Sequence, residues 1–256
     1  MKKRVIPCIL LKGGTNVWLS QSFAPWRSVG ALAQQLRLHI NRNCDELLII
    51  DLNNAGSKSF TLSNRILSLV RQEVDVPISY AGGISSSLDA SVCINAGFDK
   101  VYVTSAFLDN PDILESISDV IGMQSLGLSL PYTYVSSEYF IWDHRSSSVF
   151  KTPEYFSSIL SQLSSFPVGE VLFHSIDRDG SLSGLDHKFF DYLSSYKLTL
   201  PIIVAGGSSC EKDFANALQY SFIQAVSASS IFALTQSTPS TIRSYCESNG
   251  IFMRRA

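Results

Sequence analysis

The chain has 256 residues, 45% of them hydrophobic, enough to bury a full core as one domain. Its formal charge of −2 gives no reason to expect nucleic acid or an anionic membrane surface as a partner. The five cysteines, Cys8, Cys44, Cys93, Cys210 and Cys246, show no close pairing and fit a reduced, cytoplasmic protein. Neither they nor the scattered His39, His144, His174 and His187 have metal-ligand spacing, so no metal or other cofactor is expected.

The first stretch, MKKRVIPCILLKGG, has a basic start, but its apolar part is short and ends in Lys-Gly-Gly. It reads as a strand rather than a secretory leader. In chain order, RVIPCIL (4–10) is followed by a helical period over 29–42 and ELLIIDL (46–52) by one over 61–73. PISYA (77–81) is followed by 87–96, KVYVT (100–104) by 111–121 and SLGLSL (125–130) by 153–164. EVLFHS (170–175) precedes 187–196, PIIVA (201–205) precedes 211–220 and QAVSA (224–228) precedes 238–248. Eight strand–helix units predict an α/β fold, a single (β/α)8 TIM barrel over 1–256. A doubly wound open sheet is the rival, and would more often show fewer strands and a glycine fingerprint after the first. The stretch 131–152, after the fifth strand, predicts a β-hairpin or lid.

The chain also repeats itself. Ala81-Gly82-Gly83 recurs as Ala205-Gly206-Gly207, and at the same offset Asp89 recurs as Asp213 and Gly56 as Gly180. TSAF (104–107) has a near echo in SSIF (229–232). A shared period over several features predicts two half-barrels, about 1–123 and 124–256.

The repeated features carry chemistry. Gly82-Gly83 and Gly206-Gly207 each lie between a strand and a helix, where glycine lets exposed amides approach an anion. Thr104-Ser105 and Ser229-Ser230 place a hydroxyl and an amide at a helix start, the usual groups for phosphate. Each half thus offers one cradle, and a ligand with a phosphate at each end would suit the mouth between them. The plain alternative is that the glycines only make tight turns. In SIDRDGSLSG (175–184), Asp177 and Asp179 could cap a turn and Gly180 could offer its amide to the second phosphate. Asp51, ending the second strand, could orient a ligand or cap a loop. Arg4, Glu46, Lys100 and Glu170 begin strands, which places them at the amino-terminal end of the barrel. By position alone they read as a stabilising ring of ion pairs.

Together KRVIPC (3–8), DELLIIDL (45–52), AGGI (81–84), AGFDKVYVTSAFLDNP (96–111), SIDRDGSLSG (175–184) and AGG…SASSIF (205–232) resemble the cyclase subunit of imidazole glycerol phosphate synthase, the HisF family. The resemblance runs through nearly the whole chain. It implies a glutaminase partner, HisH-like, docked on the amino-terminal face, and ammonia passing through the barrel. It changes the meaning of Arg4, Glu46, Lys100 and Glu170, which match the family's gate, and makes Asp99 a glutaminase-interface residue. Gly83, Thr104 and Ser105 match the first phosphate site, with Thr104 where the family has an asparagine. Gly180, Gly207, Ala228, Ser229 and Ser230 match the region of the second.

The departures are as informative. The family's cyclase step uses two aspartates, ending strands one and five, as general acid and base. The corresponding positions here are assigned to Leu10 and Leu130, so no catalytic residue remains, and the family's loop lysine has no counterpart in GGTNVWLSQSF. The pattern resembles a branch associated with glycosyl amidation. That implies a non-cyclising subunit that delivers glutamine-derived ammonia, with a sugar amidotransferase as a further partner, for acetamido-to-acetamidino conversion in surface-polysaccharide (lipopolysaccharide) biosynthesis. The alternative is an active cyclase subunit in histidine biosynthesis.

Overall fold

A computed structural model describes residues 2–54 and 60–254. Gly56, the repeat partner assigned to Gly180, lies outside the described residues. The strands are β1 (Arg4–Leu11), β2 (Asn16–Gln21), β3 (Ala24–Ala31), β4 (Leu47–Asp51), β5 (Ile78–Ala81), β6 (Lys100–Val103), β7 (Leu126–Val135), β8 (Glu138–Asp143), β9 (Ser148–Phe150), β10 (Glu170–Ser175), β11 (Ile202–Ala205) and β12 (Ile223–Ala228). Parallel pairing runs β1-β4-β5-β6-β7-β10-β11-β12 and closes from β12 back to β1, giving the eight-stranded barrel. Closure leaves no free sheet edge among these strands. No helix among the described residues is long and apolar enough to cross a membrane.

The strands are apolar because parallel strands are covered on both faces. One cluster fills the space between sheet and helices and runs from Val5 round to Met253. A smaller one, Ile6, Leu48, Tyr102, Leu172, Ile203 and Ala225, lies apart from it on the inner face of the strands. Side chains alternate along a strand, so one register separates lumen from helix layer.

The two halves repeat in detail. Asp89 accepts from the amide and hydroxyl of Ser85, and Asp213 from those of Ser209. The residues before the two short helices 105–109 and 230–234 share an uncommon backbone, Thr104 at φ −130°, ψ −76° and Ser229 at φ −124°, ψ −67°.

Two hairpins extend the barrel at its carboxyl end. β7 runs on past the barrel to pair antiparallel with β8, which pairs with β9, as the sequence predicts for 131–152. The other, β2–β3, replaces the start of the helix expected at 29, which begins at Leu32. Its turn, Ser22-Phe23, holds both residues at positive φ, 49° and 62°. Such turns normally advertise themselves with Asn or Gly, and this one has neither.

Candidate functional site

At the amino-terminal end, the four charges predicted to form a ring do meet. Arg4 Nη1 lies 2.6 Å from Glu46 Oε2 and Nη2 lies 2.8 Å from Glu170 Oε2. Lys100 Nζ is 2.7 Å from Glu170 Oε1. Ser79 donates its hydroxyl to Glu46 Oε1 at 3.2 Å. Burial alone would raise the Glu170 carboxyl; the charges of Arg4 and Lys100, with hydrogen bonds from Lys100 and Tyr102, outweigh it and hold the group down at about 2. Burial opposes charge on Arg4 as well, and Glu170 and Glu46 overcome that to raise it. Asp99 is exposed beside this ring, with Oδ2 accepting from the Ile78 amide at 2.8 Å.

Tyr102 stands directly above the ring. Its hydroxyl donates to Glu170 Oε1 at 2.5 Å. Its ring is seated on Gly127, where a Cβ would come within 2.4 Å of Cε1. The other side of the ring lines a cavity of about 770 Å³ that opens at the carboxyl end. Tyr102 therefore separates the charges from the mouth, and the sequence reading missed it. Its place two residues after Lys100, on the same face of a strand, was the available signal.

The mouth gathers both predicted cradles. Gly82, Gly83, Thr104 and Ser105 line one part of it, and Gly206, Gly207, Ser229 and Ser230 another, with Gly180 and Ala228. Gly207 has φ +98°, and a Cβ there would meet Gly184 O at 2.3 Å. Gly180 has φ +70°, and a Cβ would fall 1.9 Å from Ser20 O. The tip of the β2–β3 hairpin thus packs on Gly180, which gives that glycine a packing role the sequence reading did not contain.

The assignment of the fifth-strand position needs correction. Leu10 does line the cavity, 9% exposed. Leu130 does not: it is 0% exposed and belongs to the cluster between sheet and helices. The lumen-facing residues of β7 are Gly127, Ser129 and Pro131, and Pro131 pairs in register with His174 at the mouth. The residue at the mouth is still incapable of proton transfer, but it is a proline one position on.

The three aspartates serve mainly the protein. Asp51, 2% exposed, accepts from the Asn53 amide at 2.9 Å, from Asn53 Nδ2 at 2.7 Å and from the Tyr80 hydroxyl at 3.0 Å. It caps its loop and also lines the cavity. Asp177 does not line the cavity; it accepts from Thr133 Oγ1 at 2.7 Å and the Tyr134 amide at 2.8 Å, pinning the extension of β7. Asp179 does line the cavity, and accepts from the Phe23 amide at 2.9 Å. Burial would raise its carboxyl, but hydrogen bonds from His174, the Phe23 amide and Ser20, with the charge of His174, lower it.

Arg145 also went unread. It sits on the β8–β9 turn, 3.0 Å from Asp143 and 2.7 Å from Asp109, and lines the cavity with His144 on the side of Thr104 and Ser105. Among the described residues, no group of three or more His, Cys, Asp or Glu is placed to hold a metal ion.

The model of the family described as Histidine biosynthesis protein matches residues 4–237. The imidazole glycerol phosphate synthase subunit HisF of Dictyoglomus thermophilum is 30% identical over 255 residues, 99% of each chain. That of Cytophaga hutchinsonii is 28% identical over 257 residues, 100% of each. A putative imidazole glycerol phosphate synthase subunit HisF of Leptospira interrogans is 29% identical over 234 residues, 91% of this chain and 90% of that one. An eight-stranded barrel matched over nine-tenths or more of its length by these relatives belongs to the histidine biosynthesis protein family, among its HisF-type members.

Proposed function

We propose that this HisF-like barrel pairs with a glutaminase on its amino-terminal face, admits ammonia between Arg4, Glu46, Lys100 and Glu170, and delivers it onward without closing an imidazole ring. The observation that carries this reading is the contrast along one lumen. The charged ring is complete, whereas the mouth positions on β1 and β7 hold Leu10 and Pro131. Loss of one positioned acid or base costs ~10²–10⁴ in rate, and two are missing. The acceptor in this reading is a sugar, whose acetamido group becomes acetamidino with the help of a separate amidotransferase. The two cradles hold a phosphorylated ligand, and Asp99 forms part of the glutaminase contact.

Conduction in this reading also needs Tyr102 to swing, because its ring divides the charges from the cavity. The names of the relatives favour a second reading, the cyclase subunit of imidazole glycerol phosphate synthase in histidine biosynthesis. The two separate when the aminoimidazole precursor is supplied with ammonium, which the second reading alone converts to imidazole glycerol phosphate; reconstitution with a glutaminase subunit tests the pairing itself. The first predicts a stable complex with raised glutamine hydrolysis, altered by Lys100→Ala. Absence of a complex with no effect of Lys100→Ala would remove it.

A further inference from the structure

The residues two positions on from the four charges form a layer of their own. Ile6, Leu48, Tyr102 and Leu172 follow Arg4, Glu46, Lys100 and Glu170, and a period of two keeps them on the lumen face. All four are buried and pack in one cluster with Ile203 and Ala225. Leu48, Tyr102 and Leu172 line the cavity, whereas none of the four charged residues does. This layer is therefore the floor of the mouth, and it closes the lumen between the cavity and the inlet.

Three members of the layer are aliphatic and held by packing. Tyr102 is held by one hydrogen bond as well, to Glu170 Oε1, an oxygen that Lys100 Nζ shares at 2.7 Å. Its phenol is confined on three sides. Gly127 of the neighbouring strand, in register with Tyr102, leaves no space even for a Cβ beyond it. The charges lie on the inlet side, and Ile6, Leu48 and Leu172 share its level of the lumen. On the mouth side the residues packed against the layer include the small Cys8, Ala81 and Ala205, and all three line the cavity. A close-packed interior yields only where there is free volume, and here that lies in one direction.

Resting on the reading of the barrel as an ammonia conduit, we propose that Tyr102 is a gate that opens only by swinging off Glu170 into the floor of the mouth, so that any occupant reaching that floor holds the inlet shut. The open state gives up one charge-assisted hydrogen bond, which makes it the minor state. An occupant that fills the free volume removes it. By linkage, an open gate weakens the binding of that occupant by the same factor. The mouth then acts as a stop on delivery: ammonia advances while the floor is empty, which suits a barrel whose acceptor is held by another protein.

Magnetic resonance of the full chain with 13C-labelled tyrosine rings tests this, the Tyr102 signals being assigned by their loss in Tyr102→Phe. Relaxation dispersion is expected to show Tyr102 exchanging with a minor state of about 1–10% on the microsecond-to-millisecond scale. Glu170→Gln weakens the tie and is expected to raise that population about threefold. Cys8→Phe puts bulk on the floor in place of an occupant and is expected to abolish the exchange; Ala205→Leu does the same with a smaller change. Loss of the exchange in either filled variant supports the gate. Absence of exchange in both the native chain and Glu170→Gln, or exchange that persists in both filled variants, overturns it. No glutaminase enters this measurement, so the conduit reading fails separately, on the absence of a glutaminase complex.

Discussion

The two ends of this barrel are built on opposite electrostatic principles. At the amino end each buried charge is matched: Arg4 by Glu46 and Glu170, Lys100 by Glu170, with Ser79 and Tyr102 donating to the carboxylates. At the carboxyl end the strand tips Leu10 and Pro131 carry no charge, and polarity sits on other elements, on His174 with Asp179, on Arg145 with Asp109, and on Asp51, Ser208 and Ser227. Removing a member of a paired ring is costly, because it leaves a buried partner short of its counter-charge. A mouth whose polar groups come from several separate elements tolerates change one element at a time. The difference teaches that the two ends of such a barrel can diverge independently, since they share strands but not side chains.

The largest expected effect tests which side of β7 faces the mouth. Leu130→Asp would bury a carboxylate in the helix layer and remove a buried leucine, a loss of about 5 kcal/mol or more, comparable to a domain's whole stability. Leu10→Asp, at the cavity wall, is expected to cost about 1–3 kcal/mol and leave a folded barrel. Equal melting temperatures for the two variants would contradict the placement of Leu130. Next, Glu170→Ala strands Lys100 and the Tyr102 hydroxyl and leaves Arg4 with Glu46 alone, and is expected to cost about 3–5 kcal/mol in denaturant unfolding, with Glu170→Gln milder.

The same carboxylate sets an acid limit. Its folded value, about 2, lies below the ordinary 4.5, so its stabilising contribution is complete above about 4.5 and is lost as pH falls toward 2. Glu170→Gln should flatten the acid-unfolding curve in that window and leave it unchanged above. Gly180→Ala places a methyl against Ser20 O at positive φ, so about 1–3 kcal/mol of destabilisation and weaker phosphate binding are expected. The smallest effect is Asp177→Asn, about 1 kcal/mol, read as faster amide exchange in the β7–β8 hairpin while phosphate affinity stays unchanged.

Eight barrel strands were legible because buried parallel strands are continuous apolar runs. That same uniformity hid the register of β7: in LGLSLPYTYV every early position is apolar or small, so no alternation marks the lumen face. Gly127 and Ser129, the small residues that make room beside Tyr102 and the cavity, were the only cue that Leu130 points the other way. The hairpin β2–β3 was hidden for the opposite reason, a turn built from Ser22 and Phe23 without the usual residues. No spacing in the sequence marks His174; its partner Asp179 lies five residues on across a turn, a proximity that no strand period encodes. The ring of four charges was visible as charges at strand starts, but its pairing depends on closure of the barrel.

The most direct measurement supplies the ribulose-type aminoimidazole precursor of the HisF reaction together with ammonium, bypassing any glutaminase, and follows imidazole glycerol phosphate. With Leu10 and Pro131 at the mouth, the account predicts no product above the uncatalysed background. Product at the rate of an active HisF subunit, lost in His174→Ala, would contradict it and make this barrel a cyclase with relocated proton chemistry.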